Sequence, residues 1–296
     1  MNADTPIPPH RPLPVWAVVE RSYRYVWEHR SLFALPVLAL FAAILGISFV
    51  AQTAMDGGTT PRSATDSFGF GGAFLALGAD LALVVLSIAF VVGVHRTVLL
   101  DEVRGGTAFF RWDENLRRYL WTLVLLIVAP VPAIFGAGIG VAVVAAILGV
   151  LLIKSDAGMG AYGIYFIAMM AISVFATIFI SLRLSLALPA AALGDAKRLT
   201  LSWQATKGNT ARLFAVSFLT WMPFFILSMV VAVPEMGDMV SAILAGRDPT
   251  PPQPGIVALA FSAALQAISI PILTTMLSLC YDVLVRGGGP VSPQNQ

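Results

Sequence analysis

Six stretches of this chain are apolar for ~20 residues or more, which is the length a helix needs to cross the hydrocarbon core of a bilayer. They run from Leu32 to about Met55, Phe74 to Leu100, Leu120 to Ile153, Ala161 to Leu188, Leu213 to about Val233, and Ile256 to Val285. Backbone inside lipid must satisfy its own hydrogen bonds, so such stretches fold as helices. The expected fold class is all-α, a six-span transmembrane helical bundle. Composition points the same way. Of 296 residues, 58% are hydrophobic and 11% charged, against about 25% charged in ordinary soluble domains.

The first apolar run begins only at Leu32, after a polar and aromatic segment, so it reads as a retained span rather than a cleaved leader. The third is long enough to require a tilt or kink, for which Pro130 and Pro132 supply a cause. Residues 1–12 and 287–296 read as disordered ends around a single membrane domain, 13–286.

Between the spans lie three basic, amphipathic elbows, 13–30, 101–118 and 189–211. In the first, Trp16, Val19, Tyr23 and Val26 recur at helical spacing, opposite Glu20, Arg21, Arg24 and Glu28. In the second, Phe109, Trp112, Leu116 and Tyr119 share a face. The third follows a span stopped by Pro189. It sets Ala196, Leu199 and Trp203 against Lys197, Thr200, Gln204 and Lys207, with Gly208 as a C-cap and Thr210 as the next N-cap. Aromatic rings and long cationic side chains of this kind suit the headgroup layer. Loop 235–255, rich in proline, is expected to form no regular element.

Lysine and arginine set the orientation. Only Arg62, Lys154 and Arg247 of the 18 fall on one side, and the others gather at the N-terminus, the 2–3 and 4–5 connections and the tail. The positive-inside rule then places both termini in the cytoplasm. A repeat is also expected. Arg24-Tyr25-Val26-Trp27 matches Arg118-Tyr119-Leu120-Trp121, and Arg212-Leu213-Phe214 follows at the same spacing. Three elbow-plus-hairpin units would surround a pseudo-threefold axis.

No catalytic or metal-ligand spacing is present. His10, His29 and His95 stand alone, and neither a Walker loop nor GxSxG occurs. The expectation is a protein without enzymatic activity or cofactor, binding no nucleic acid. Cys280 reads as a packing residue. Gly136 and Gly140 form a GxxxG that would let helices approach closely. Ionisable or polar groups near spans are the candidates for function: Asp80, His95, Arg96, Gln266 and Asp282, with Gln266 expected to bond between helices. An Arg183–Asp282 or Arg96–Asp282 pair is expected where the inner span ends converge. Arg183, Lys197, Arg198, Lys207 and Arg212 form a basic face for lipid phosphates, each cation contributing ~1 kcal/mol beside an anionic leaflet.

The run Leu188-Pro189-Ala190-Ala191, followed by Ser202-Trp203-Gln204-Ala205-Thr206-Lys207-Gly208-Asn209, resembles the motif of bacterial YciC-like inner-membrane proteins. It is similar also to the membrane domain joined to some glycerophosphodiester phosphodiesterases, whose catalytic domain has no counterpart here. The resemblance covers about 30 residues and implies a bacterial inner-membrane location and a six-span form, not an activity. The leading reading is lipid handling or membrane scaffolding, with membrane lipids, other proteins or a second copy as partners. The alternative is a small-solute transporter or channel.

Overall fold

A computed structural model describes residues 12–56, 70–102, 109–110, 112–129, 158–196, 198–246 and 255–287, with isolated positions between 131 and 147. No strand occurs among the described residues. The helices are α1 (Val15–Glu28), α2 (Arg30–Asp56), α3 (Phe70–Leu100), α4 (Glu114–Val128), α5 (Gly158–Leu184), α6 (Ala187–Ala192), α7 (Arg198–Ala205), α8 (Thr210–Leu244) and α9 (Ile256–Tyr281), the last running into a π turn at Asp282–Arg286. Among the described residues, five helical stretches are long and apolar enough to cross a membrane: Arg30–Val50, Leu77–Leu100, Met170–Ala192, Thr210–Val233 and Ile256–Arg286. The expected third span begins in α4, and most of its length, with Pro130, lies outside the described residues. The ends expected to be disordered, save residues 12 and 287, and most of loop 56–72 also lie outside them.

Helix α9 is the centre of the bundle, packed against α1, α2, α3, α6 and α8. Ala263 and Ala267 on α9 let the large side chains of α2 and α3 close over it, in a core with Phe33, Leu40, Ile44, Phe90, Val94 and Phe109. A second core joins the start of α1, the end of α3, helices α6 and α7, the start of α8 and the end of α9, through Leu13, Leu99, Leu186, Ala205, Leu213 and Tyr281. It gathers the first and third elbows at one end of the bundle. The opposite stretches of the long helices leave Leu38, Leu81, Phe175 and Val230 exposed, as lipid contact requires.

The first elbow is a docked helix. Tyr23 Oη donates to the Thr220 carbonyl at 2.7 Å, and its ring stacks on Phe224. Burial, assisted by the charge of Asp101 and opposed by Arg21, pushes the Tyr25 hydroxyl up to about 12. Val18, Val19 and Ser22 form the buried stripe of α1. Trp16 is 70% exposed, not on the packing face expected of it. Only His29 separates α1 from α2.

Of the second elbow, residues 103–108 and 111 lie outside the described residues. Phe109 and Phe110 form one tight turn, and Asp113 then N-caps α4, accepting from Leu116 N at 2.9 Å. Phe109, Leu116 and Tyr119 are buried as expected, but Trp112 precedes the helix and is exposed. The two RYxW stretches therefore sit differently: Arg24–Trp27 closes a helix that ends at Glu28, whereas Arg118–Trp121 lies in the first turns of α4.

In the third elbow helix α5 ends at Leu184, before Pro189. Proline sits in the first turn of α6, where its missing N–H has no helical acceptor to lose. Gly194, at φ +83°, closes α6: Gly194 N donates to Ala191 O and Asp195 N to Ala190 O, the paired bonds of a Schellman end. Gly208 is left-handed as expected. The N-cap position of α8 is Asn209 rather than Thr210, because Thr210 Oγ1 turns back to Thr206 O. The region expected as loop 235–255 is helical to Leu244. Proline 234 does not stop α8, whose 35 residues extend about 52 Å, well beyond the hydrocarbon core.

Candidate functional site at the basic end

The Ser202–Asn209 motif folds around the last turn of α5. Arg183 there lays its guanidinium 3.9 Å from the Trp203 ring centroid and donates from Nη2 to Trp203 O at 2.7 Å. Ser202 Oγ donates to Arg183 O at 2.7 Å. Thr206 Oγ1 reaches Ser202 O at 2.8 Å, with longer approaches to the Arg183 and Trp203 carbonyls. Thr200, Gln204 and Lys207 are exposed as expected and Leu199 is half-buried, but the buried face is centred elsewhere. Ser202, Ala205 and Thr206 are buried, whereas Ala196 and Trp203 are exposed. The hydroxyls turn inward because helix α5 ends there with carbonyls that have no helical donor. Asn209 is buried too, and its Oδ1 accepts from Leu13 N at 3.1 Å. Arg212 Nη1 approaches Leu13 O at 3.5 Å. The motif thus ties three segments together.

The ends of α3 and α9 nearest the elbows hold a second polar group. His95 is fully buried and its Nδ1 lies 2.7 Å from Ser278 Oγ. The Ser278 hydroxyl donates to Thr274 O at 2.9 Å, so its single proton is committed and His95 Nδ1–H is the donor. Its Nε2 is then an acceptor, buried with no partner among the described residues. Arg96 forms a bidentate pair with Glu102, at 2.5 and 3.0 Å, and reaches Ala192 O at 3.3 Å. Asp282 lies 3.9 Å from Arg286, one turn on, and Arg286 donates to Leu99 O at 2.6 Å. Neither Arg96–Asp282 nor Arg183–Asp282 forms. Each arginine has a nearer partner, and Glu102, just past the end of α3, was the residue that span-based reasoning overlooked.

A cleft of about 460 Å³ opens between α4 and α7, lined by Arg117, Arg118, Leu120, Trp121, Val124 and Arg198. Arg118 also donates to Gly194 O at 3.1 Å and to Glu114 at 2.7 Å. Arg198 makes one long approach, 3.5 Å to Asp195 O, and its Nε is buried without a partner among the described residues. Arg117 and Arg118 are the lining residues the search for site candidates missed. The signal available was the Arg-Arg pair followed, one turn on, by Leu120 and Trp121.

The remaining candidates stand apart. Asp80 is exposed on α3, about 22 Å along that helix from His95. Gln266 is exposed and makes no bond between helices among the described residues. Ser269 donates to its backbone carbonyl. Lys207 is exposed, and Lys197 lies outside the described residues. At Gly136 and Gly140 a Cβ would meet nothing within 4 Å, so no close approach uses the GxxxG among the described residues.

No family model, no curated protein and no solved structure matches the chain.

Proposed function

We infer that this is a non-enzymatic, multi-pass protein of a bacterial inner membrane, of the YciC-like kind, which gathers anionic lipid around its basic end. The elbows would face the cytoplasmic leaflet, and the six-span count would be completed through α4. The observation that supports this most is the aromatic and cationic belt. Trp16, Trp27, Trp112, Trp121, Trp203 and Trp221, all six tryptophans of the chain, are exposed. The first five lie in the elbows or at the start of α4, among Arg24, Arg30, Arg117 and Lys207. Tryptophan with arginine at one level is the composition of a headgroup-contacting surface.

Lipid analysis of the protein extracted in mild detergent tests the reading. Phosphatidylglycerol or cardiolipin should be enriched severalfold over the bulk membrane extract. Copurified lipid of bulk composition would overturn it. Transport finds weaker support, because Asp80 and Gln266 lie on exposed helix faces and not along an interior path.

A further inference from the structure

We propose that the cleft between α4 and α7 is a specific site for one phosphate-bearing amphiphile, an anionic glycerophospholipid, with its phosphate on Arg198, Arg117 and Arg118 and its acyl chain against Leu120, Trp121 and Val124. This rests on the lipid reading above and deepens it, from a belt that attracts many lipids to a built site that holds one.

The order of residues along α4 matches such a ligand. Arg117, Leu120, Trp121 and Val124 follow at i, i+3, i+4 and i+7, so they share one helix face. The face is cationic at its start and apolar one and two turns later, about 10 Å further along the axis. A headgroup phosphate over a hydrocarbon chain has the same polarity gradient at the same scale. The volume, about 460 Å³, lies in the range of small-molecule sites.

The arginines are presented rather than consumed. Among the described residues, Glu114 is the carboxylate paired to the α4 arginines, 2.7 Å from Arg118 and 3.8 Å from Arg117. The Asp113 carboxylate is engaged as the N-cap of α4. Arg118 is held in place by Gly194 O, which orients its guanidinium at the cleft wall. Arg198 is the least satisfied. It opens α7, where the helix dipole disfavours a cation and no acidic residue in the first turn compensates it. A buried guanidinium donor without an acceptor costs free energy until one arrives. A phosphate supplies acceptors in the planar geometry that arginine matches. It would at the same time place negative charge at the start of α7.

Native mass spectrometry of the full chain in a zwitterionic detergent, with dioleoyl phosphatidylglycerol and dioleoyl phosphatidylcholine added in equal amounts, tests this. The wild type should retain one phosphatidylglycerol in preference to phosphatidylcholine. Arg198→Gln should cut that retention about tenfold, as loss of a charge-assisted bond to phosphate predicts. Arg117→Gln, at a side chain 78% exposed and so safe for folding, should reduce it in the same direction. Trp121→Gln should weaken phosphatidylglycerol but not inorganic phosphate, because it removes wall and no charge.

Wild-type retention in both arginine variants overturns the site. If inorganic phosphate displaces the lipid and protects the protein equally with and without Trp121, the ligand is a soluble phosphate and the lipid assignment falls. Should copurified anionic lipid stay enriched in Arg198→Gln while the added-lipid preference is also unchanged, the belt survives and the cleft does not. Bulk composition in the wild type sinks the belt reading by itself.

Discussion

Arg183 and Trp203 are joined twice: the guanidinium stacks on the indole at 3.9 Å and donates to the backbone carbonyl of the same residue at 2.7 Å. The first contact needs a planar, delocalised cation, and the second fixes where that cation sits. Arg183→Ala should therefore lower stability by about 1–3 kcal/mol, combining a cation–π contact with a charged hydrogen bond. Arg183→Lys should recover little of it, because an ammonium cannot stack as a guanidinium does. Thermal unfolding in detergent measures both. An Arg183→Lys protein as stable as the wild type would show that charge alone matters here.

The Asn209–Leu13 bond spans 196 residues and holds the start of α1 against the third elbow. Removing the acceptor leaves the buried Leu13 N–H unpaired, at a cost of about 1–3 kcal/mol. Asn209→Ala should make trypsin cleave faster at Arg21 and Arg24, while Asn209→Asp, which keeps an acceptor oxygen, should stay close to the wild type. Equal cleavage rates in all three would mean that α1 is held by its apolar stripe alone.

At Gly93 a Cβ would come within 2.5 Å of the Phe109 ring and 3.3 Å of its backbone Cα. Phe109 is wedged between Phe33 and Phe90 and cannot swing away without opening that core. Gly93→Ala should cost about 1–3 kcal/mol through overpacking, and Gly93→Ala with Phe109→Ala should lose the clash but leave a cavity. A Gly93→Ala variant with unchanged thermal midpoint would show that the 2–3 connection shifts freely.

Ser278→Ala should destabilise by about 1–3 kcal/mol, since His95 Nδ1–H would join Nε2 as a buried unpaired group. Adding His95→Leu removes both orphaned groups and should restore part of the loss. A double variant whose loss is the sum of the two singles would rule out direct coupling between these residues.

Gly194 serves the Schellman end of α6 with a left-handed backbone, and a Cβ there would press at 3.3 Å on both Arg118 Nη1 and Asn115 Oδ1. Gly194→Ala should cost about 1–2 kcal/mol from backbone strain. It should also reduce phosphatidylglycerol retention, by displacing Arg118 from the cleft wall. Retention at the wild-type level would detach Arg118's position from its carbonyl anchor.

Several features were legible in the chain alone, because each depends on neighbours within a few residues. Apolar runs of bilayer length can only be helices, and α2, α3, α5, α8 and α9 follow them. The amphipathic period of residues 13–30 places α1, and the glycine at 208 marks the left-handed turn that it forms. The crowding of arginine and tryptophan between spans also anticipates the belt. What the chain could not show was which side each elbow turns inward, because that depends on partners far away in sequence. Trp203 was expected to turn inward, yet Ser202 and Thr206 are the buried residues, since the carbonyls at the end of α5 need donors. Arg96 chose Glu102 over Asp282 because bidentate geometry was available only where the chain turns out of α3. Arg117, Arg118 and Arg198 came to line one cleft only through the packing of α4 on α6 and of α6 on α7. Hydropathy determines which segments enter the membrane. The pairing of buried polar groups, which must find partners wherever the fold brings them, decided everything at the basic end.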